Sequence, residues 1–450
     1  MSDITSLFTY KKQHLLEYGY YVLIFICSLI GESISQTLMV TVASINIFYG
    51  DVINASVLLA ILIMFIRGRL LKLHKESYLY FGLLLVLLLA LLLGFMKYSY
   101  RAIGEARLIL PFLWIYLVSI FYKGERFIDS KYLIKMIRNT IFISAVAGLI
   151  AFPFGFIFNF KLDWEDFRGI RYIYTNQSFS IMIMICLLLL KAGVRRLNLK
   201  EILFLCTCII ILILSKNRAA VAAPAFVFLL LTIIQGKIKT ILYAAVAIIL
   251  LVGTIFVVSS SATQEIFLAF KGVFDPLNDS TGSWRFALQS AALAQALETF
   301  WLGQWFGSYF AFNVPGMNWS LLNEIQPHNQ FLILFLKTGI VGVTLYVLLL
   351  LKIIWTQIYV ITKHSISKDE KVYCFVLLII ISSQFLYGMA YDFYPYIGLY
   401  YGFALLLLKS IRYKAGIAKD LSISEFKFFS KRLRPIAAHS GVSFKPLVDL

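Results

Sequence analysis

Apolar residues along this chain gather into long blocks separated by short polar connections. They show neither the two-residue alternation of a half-exposed sheet nor the narrow stripe of a surface helix. The blocks fall at roughly 20–48, 52–66, 78–96, 106–122, 139–158, 175–190, 201–214, 219–234, 240–259, 329–351, 372–389 and 394–408. About 20 apolar residues cross the hydrocarbon layer as a helix. The pattern therefore predicts an all-α polytopic membrane protein with about twelve transmembrane helices and both termini on one side. One connection is out of scale: residues 260–327, between spans nine and ten, number about 68, and connections that long are usually functional or disordered. Its aromatic residues, among them Trp284, Trp301, Trp305, Tyr309 and Trp319, argue for a folded lid partly embedded at the membrane interface. Within it the pattern predicts a helix from Trp284 to about Thr299, capped by Ser283 and ended by a turn at Gly303 and Gly307.

Composition sharpens this picture. Hydrophobic residues make up 60% of the chain and charged ones 14%, against about 45–50% and about 25% in soluble domains. Disorder, a disulfide scaffold and an ordinary cytosolic enzyme are excluded. Cys27, Cys186, Cys206, Cys208 and Cys374 all lie in apolar runs, where cysteine behaves as a small hydrophobe. The net charge of +18 would by itself suit nucleic acid, but its placement does not. Of 41 Lys and Arg residues, 30 fall in alternate loops, which marks those loops as cytoplasmic. Charge here orients the chain and meets anionic membrane lipids; no nucleic-acid partner is expected. Nineteen mostly polar residues precede a first span longer than a signal's apolar core, so no cleavable signal is expected. The division read from the chain is 1–259 for spans one to nine, 260–328 for a periplasmic catalytic loop, 329–411 for spans ten to twelve, and 412–450 for a basic cytoplasmic tail.

The external side holds little polar material, so what remains is informative. His328 is the one external histidine of five and opens the tenth span. On a continuous helix the step from His328 to Gly339 returns to nearly the same face, and Gly339 and Gly342 would let a neighbouring helix approach beneath the imidazole. Arg285 lies in the first turn of the lid helix. The loop 159–174 carries Lys161, Arg168 and Arg171 and leads into Asn176, and the turn 215–218 carries Lys216 and Arg218. Charges at membrane depth are costly to leave unpaired and so point to function. Convergence of these cations on one cavity would make an anion pocket with a base beside it. Diphosphate is the natural guest, because arginine offers it planar bidentate donors. No external His, Asp, Glu or Cys cluster has metal-ligand spacing, so no metal or other cofactor is expected.

These residues carry a resemblance. His328-Asn329, nine residues, Gly339, two residues and Gly342, at the end of a long external loop, resemble the signature of bacterial O-antigen ligases. Arg285 followed by Leu288 approximates the family's Arg-three-residues-Leu pattern but is one residue short. The Ser215–Arg218 turn and the Arg168-to-Asn176 stretch resemble its shorter external loops. The resemblance covers most of residues 160–345 and implies a GT-C-like membrane fold. It also implies an undecaprenyl-diphosphate-linked glycan donor and metal-independent, inverting transfer at the periplasmic face of the bacterial inner membrane. On it, His328, Arg285 and Arg218 are catalytic. Arg168, Arg171, Lys216, Asn176 and Asn329 bind the diphosphate or glycan. O-antigen polymerases of the same superfamily join one lipid-linked repeat unit to another, whereas a ligase uses the lipid A core as acceptor. The polymerases' Arg-ten-residues-Gly motifs are absent, since Phe179, Met182 and Ala296 stand eleven positions after Arg168, Arg171 and Arg285. That favours a ligase. A polysaccharide transporter or flippase is the reading from another class, and it would call for inverted repeats and midplane charges in broken helices.

Overall fold

A computed structural model of the 450-residue chain describes residues 17–29, 39–42, 45–48, 55–59, 61–63, 78–121, 130–157, 173, 175–214, 218–234, 280–308, 311–313, 320–322, 327–363, 366–389 and 397–414. The predicted ninth span, and the basic tail beyond Lys414, lie outside the described residues. The helices are α1 (Glu17–Leu29), α2 (Tyr78–Tyr98), α3 (Tyr100–Glu105), α4 (Leu110–Leu113), α5 (Ser130–Ile157), α6 (Thr175–Ala192), α7 (Leu199–Leu214), α8 (Arg218–Ile234), α9 (Ser280–Glu298), α10 (Gln330–Lys363), α11 (Lys368–Tyr387) and α12 (Ile397–Lys414). Among the described residues, five helices are long and apolar enough to cross a membrane: Tyr78–Tyr98, Ser130–Pro153, Thr175–Ala192, Gln330–Thr362 and Lys368–Tyr387.

The molecule is a helical membrane protein, and its packing shows why hydropathy finds the spans. Helices α6 and α11 are buried on nearly every face, as helices that are apolar all round must be when other helices surround them. By contrast, α2 buries Leu83, Leu87 and Ala90 and leaves Leu85, Leu88, Leu92 and Met96 exposed. A contiguous apolar face of that kind is stable only against lipid or another apolar partner. Sparse polar contacts set the register between helices. The Tyr20 and Thr140 hydroxyls lie 2.8 Å apart, the Ser28 hydroxyl donates to Ser144 Oγ at 3.2 Å, and Gln177 Nε2 donates to the carbonyl of Leu29 at 3.0 Å.

The helix ends sort into two groups, as strict alternation of spans requires. At one end Lys414 Nζ on α12 meets the Ser130 hydroxyl of α5 and, at 3.1 Å, the Glu370 carboxylate of α11. There Ser367 caps α11, accepting from the Glu370 amide at 3.2 Å. At the opposite end the start of α10 meets the end of α11 and the start of α6.

Three expectations need correction. The block 20–48 is not one helix: α1 ends at Leu29, and β1 (Met39–Val42) pairs antiparallel with β2 (Ile45–Phe48). β-Branched Val40, Thr41, Val42, Ile45 and Ile47 favour strand over helix there. The block 106–122 is a chain of short helical pieces, with Pro111 at the start of α4 and 3₁₀ turns at Ala106–Leu108 and Trp114–Phe121. The lid helix begins at Ser280, so Ser283 lies inside it and is not its cap.

Candidate active site

The chain reaches α10 through Pro327, His328 and Asn329. His328 adopts φ 44°, a left-handed backbone that histidine visits more readily than most residues but that still costs about 1–3 kcal/mol. The residues after it hold it in place. Asn329 Oδ1 accepts from the amides of Phe331 at 3.0 Å and Leu332 at 3.2 Å, so this side chain is the N-cap of α10. Buried Gln330 donates its backbone amide to the Gly388 carbonyl at 2.8 Å and its Nε2 to the Gln384 carbonyl at 2.8 Å. One residue from Gly388, the Tyr387 hydroxyl donates to Asn176 Oδ1 at 3.0 Å. The structure thus brings His328, Asn329 and Asn176 to one end of the bundle, around the C-terminus of α11.

The lid helix α9 lies alongside the first turns of α10. Its inner face is Leu288, Ala292 and Ala296, packed on Phe335 and Leu336. The i, i+4, i+8 spacing turns three small or branched side chains toward one neighbour. Gln289 Nε2 reaches the Met389 carbonyl at 3.1 Å, joining the lid to the same end of α11. One turn before Leu288 on that face is Arg285, and its charge acts on His328. Burial first, and then the nearby Arg285, hold the imidazole pKa down from 6.5 to about 4. An unperturbed histidine titrates near 6.5; here the ring is neutral throughout the physiological range. The outer face of α9 and the residues after it present Phe286, Leu293, Leu297, Trp301 and Leu302 outward, as a lid resting at a membrane interface requires.

After Glu298 the chain makes a connector, Thr299 to Ser308, wedged between α2 and α10. The expected turn is present, with Gly303 at φ 68° and Gly307 at φ 81°. On one side the Phe306 amide reaches the Ala90 carbonyl at 3.4 Å, and Gly94 leaves room for the backbone of Phe306. On the other side α10 is not a continuous helix. Gly339 sits at φ 65°, ψ −166°, a conformation that glycine alone adopts freely. The connector fills the break: the Ile340 amide donates to the Phe300 carbonyl at 2.8 Å, and the Gln304 amide to the Leu336 carbonyl at 2.6 Å. A Cβ at Gly339 would collide with the Trp301 carbonyl. The close approach expected at Gly339 therefore exists, but its partner is a loop backbone and not a helix. Gly342 makes room for the Thr338 side chain one turn back in α10. The face argument from His328 to Gly339 fails as well, because His328 precedes the helix and Gly339 interrupts it.

Sequence reasoning missed a charged network at this break. Lys337, two residues before Gly339, is buried and donates to Glu105 Oε1 at 2.8 Å, Ser308 Oγ at 3.0 Å and the Ser308 carbonyl at 3.2 Å. Glu105 also accepts from the Gly307 amide. A lysine inside an apolar block was the available signal, since such a charge needs a partner. Its partner lies 232 positions away, which no local pattern reveals. Arg218 is the first residue of α8, so the predicted basic turn does lead directly into a helix. Arg168, Arg171 and Lys216 lie outside the described residues.

The helical bundle is thus closed at one end by a lid that sets an arginine near a largely buried histidine. Residues 202–347 match the family model described as O-antigen ligase. The match covers about a third of the chain, and the likeness to that family is a likeness of this stretch. The matched stretch contains α8, the lid and the first half of α10. No curated protein matches the chain.

Proposed function

We propose that the protein is an O-antigen ligase, moving the glycan of an undecaprenyl-diphosphate-linked donor onto the lipid A core at the periplasmic face of the bacterial inner membrane. The observation that carries this reading is the neutral His328 held beside Arg285 at the mouth of α10. In the proposed topology the chain has twelve spans with both termini cytoplasmic. Residues 260–328 form the catalytic loop between 1–259 and 329–411, and 412–450 is the basic tail.

In the reaction His328 takes the proton from an acceptor sugar hydroxyl as that oxygen attacks the anomeric carbon of the donor. The bond from this carbon to the diphosphate oxygen breaks, and its electron pair leaves with undecaprenyl diphosphate. Direct attack inverts the anomeric centre. Charge grows on the departing diphosphate, so cations placed in advance lower the barrier. Arg285, Arg218, Lys216 and one of Arg168 or Arg171 take that part, with Asn176 and Asn329 at the edge of the glycan. Diphosphate bound at Arg285 offsets the positive charge that His328 feels in the free enzyme. Its proton affinity then rises when a base is required. No metal or cofactor enters the scheme.

The test uses purified protein, a synthetic undecaprenyl-diphosphate oligosaccharide and a core lipid in detergent, where transport between compartments is impossible. Wild-type protein should extend the core lipid. His328→Ala should lose about 10²–10⁴ in rate with donor binding retained. His328→Gln, which keeps hydrogen bonding, should not rescue it. Glutamine at near wild-type rate would reduce His328 to a positioning residue. Elongation of the lipid-linked donor in place of the core lipid would make the enzyme a polymerase with the same site.

A further inference from the structure

Beyond the arginine–histidine mouth, a second cleft opens along the lid, with a volume of about 450 Å³, within the range of sites for small ligands. Lys97 and Tyr98 at the end of α2, Gln295 and Thr299 of α9, and Gln304 and Trp305 of the connector line it. Gln295 is ten residues beyond Arg285 on α9, which at 1.5 Å per residue places the cleft about 15 Å from the mouth.

The lining is built with some care. Trp305 holds φ 67°, which for a bulky residue is a true outlier, and such strain persists where the surroundings over-determine it and collects at ligand sites. The surroundings here are the connector's anchors, Phe306 on Ala90 and Gly307 with Ser308 on Glu105 and Lys337. Lys97 Nζ stands 5.1 Å from the Tyr98 ring centre and 5.4 Å from that of Trp305. Gln295 Nε2 donates to Gln304 Oε1 at 2.9 Å, which fixes the two amides. The Thr299 hydroxyl oxygen is shielded from solvent and has no hydrogen-bond partner among the described residues, and a native structure rarely leaves such an atom unsatisfied.

Aromatic faces take the apolar face of a pyranose, side-chain amides take its hydroxyls, and a lysine close to both reads a negative substituent. We infer that this cleft is a glycan subsite for a pyranose unit bearing an anionic group, with Trp305 as its platform and Lys97 as the reader of charge. This rests on the transferase reading for the source of the sugar, but not for the binding itself.

The experiment titrates the whole protein in detergent with methyl glucuronide, methyl glucoside and inorganic diphosphate, followed by saturation-transfer NMR. The glucuronide should bind at least about 10-fold more tightly than the glucoside, and Lys97→Gln should erase that preference while leaving the glucoside signal. Gln304→Ala, at a half-buried side-chain amide, should weaken both sugars. Equal binding of the two sugars in wild type, or no binding, overturns the inference. So does displacement of the glucuronide by diphosphate at equal concentration, which would make Lys97 part of the leaving-group site. In the His328→Ala protein, competition by either the lipid-linked donor or the core acceptor supports the subsite and names the source of the sugar; competition by neither, with the glucuronide preference intact, upholds the subsite and tells against the transferase reading. Because binding is read without turnover, an inactive enzyme with an intact cleft separates failure of the transferase reading from failure of this one.

Discussion

The low proton affinity of His328 makes a sharp kinetic prediction. A base with the ordinary pKa of 6.5 would be about 97% protonated at pH 5, and kcat/KM for the donor would fall about 30-fold from its plateau. With the ring at about 4, only about a tenth is protonated at pH 5, and the plateau should extend there almost undiminished. Burial is the larger cause and Arg285 the smaller, so Arg285→Gln should raise the value only part of the way back to 6.5. The assay is ¹³C NMR of labelled histidine in the detergent-solubilised enzyme, with His328 assigned from the His328→Gln spectrum, beside the pH dependence of kcat/KM for the donor. The same shift sets a stability trend. The unfolded chain takes up the proton from 6.5 downward and the folded chain only near 4, so stability is complete above pH 6.5 and falls as the pH drops toward 4. That difference corresponds to at most about 3 kcal/mol. An acid limb at 6.5 in wild type, or an Arg285→Gln protein whose His328 value does not move, refutes the arrangement.

Three further outcomes are expected, two of them from the connector. Gly339→Ala forces a Cβ against the Trp301 carbonyl in a backbone that disfavours it, and should cost about 1–3 kcal/mol; limited proteolysis of the lid will register it as faster cleavage. Lys337→Met leaves Glu105 without its partner and should destabilise by about 3–5 kcal/mol, while adding Glu105→Gln should restore part of that in a thermal melt. A periplasm-active reporter fused near residue 316 should be active and one fused after Arg196 silent; the reverse pattern would invert the proposed topology.

Much of the membrane fold was legible because hydropathy reports burial in lipid, and α2, α5, α6, α7, α8, α10 and α11 all fall where apolar blocks do. Hydropathy says nothing of backbone angle. It therefore merged α1 with the β1–β2 hairpin, whose residues are apolar but β-branched, and ran α10 straight through Gly339. The prominence of His328 came from its isolation among polar positions. Its neighbour Arg285 became a partner only once Leu288, Ala292 and Ala296 were seen to dock α9 on α10. Asn329 was read as a glycan ligand, and the structure shows its oxygen committed to capping α10. Lys337 stood out as a charge within an apolar block, but its partner Glu105 lies 232 positions away and nothing local pointed to it.

The wedged connector also imposes an order on biogenesis. Its first seat, Ala90 and Gly94 on α2, leaves the ribosome long before the lid, but its second seat at Gly339 follows the lid in the chain. The lid must therefore wait, half-seated, until α10 has been delivered to the bilayer, and only then does Arg285 come to rest near His328. Its neighbours Gln384 and Gly388 arrive later still, so the pair's surroundings close only once α11 is made.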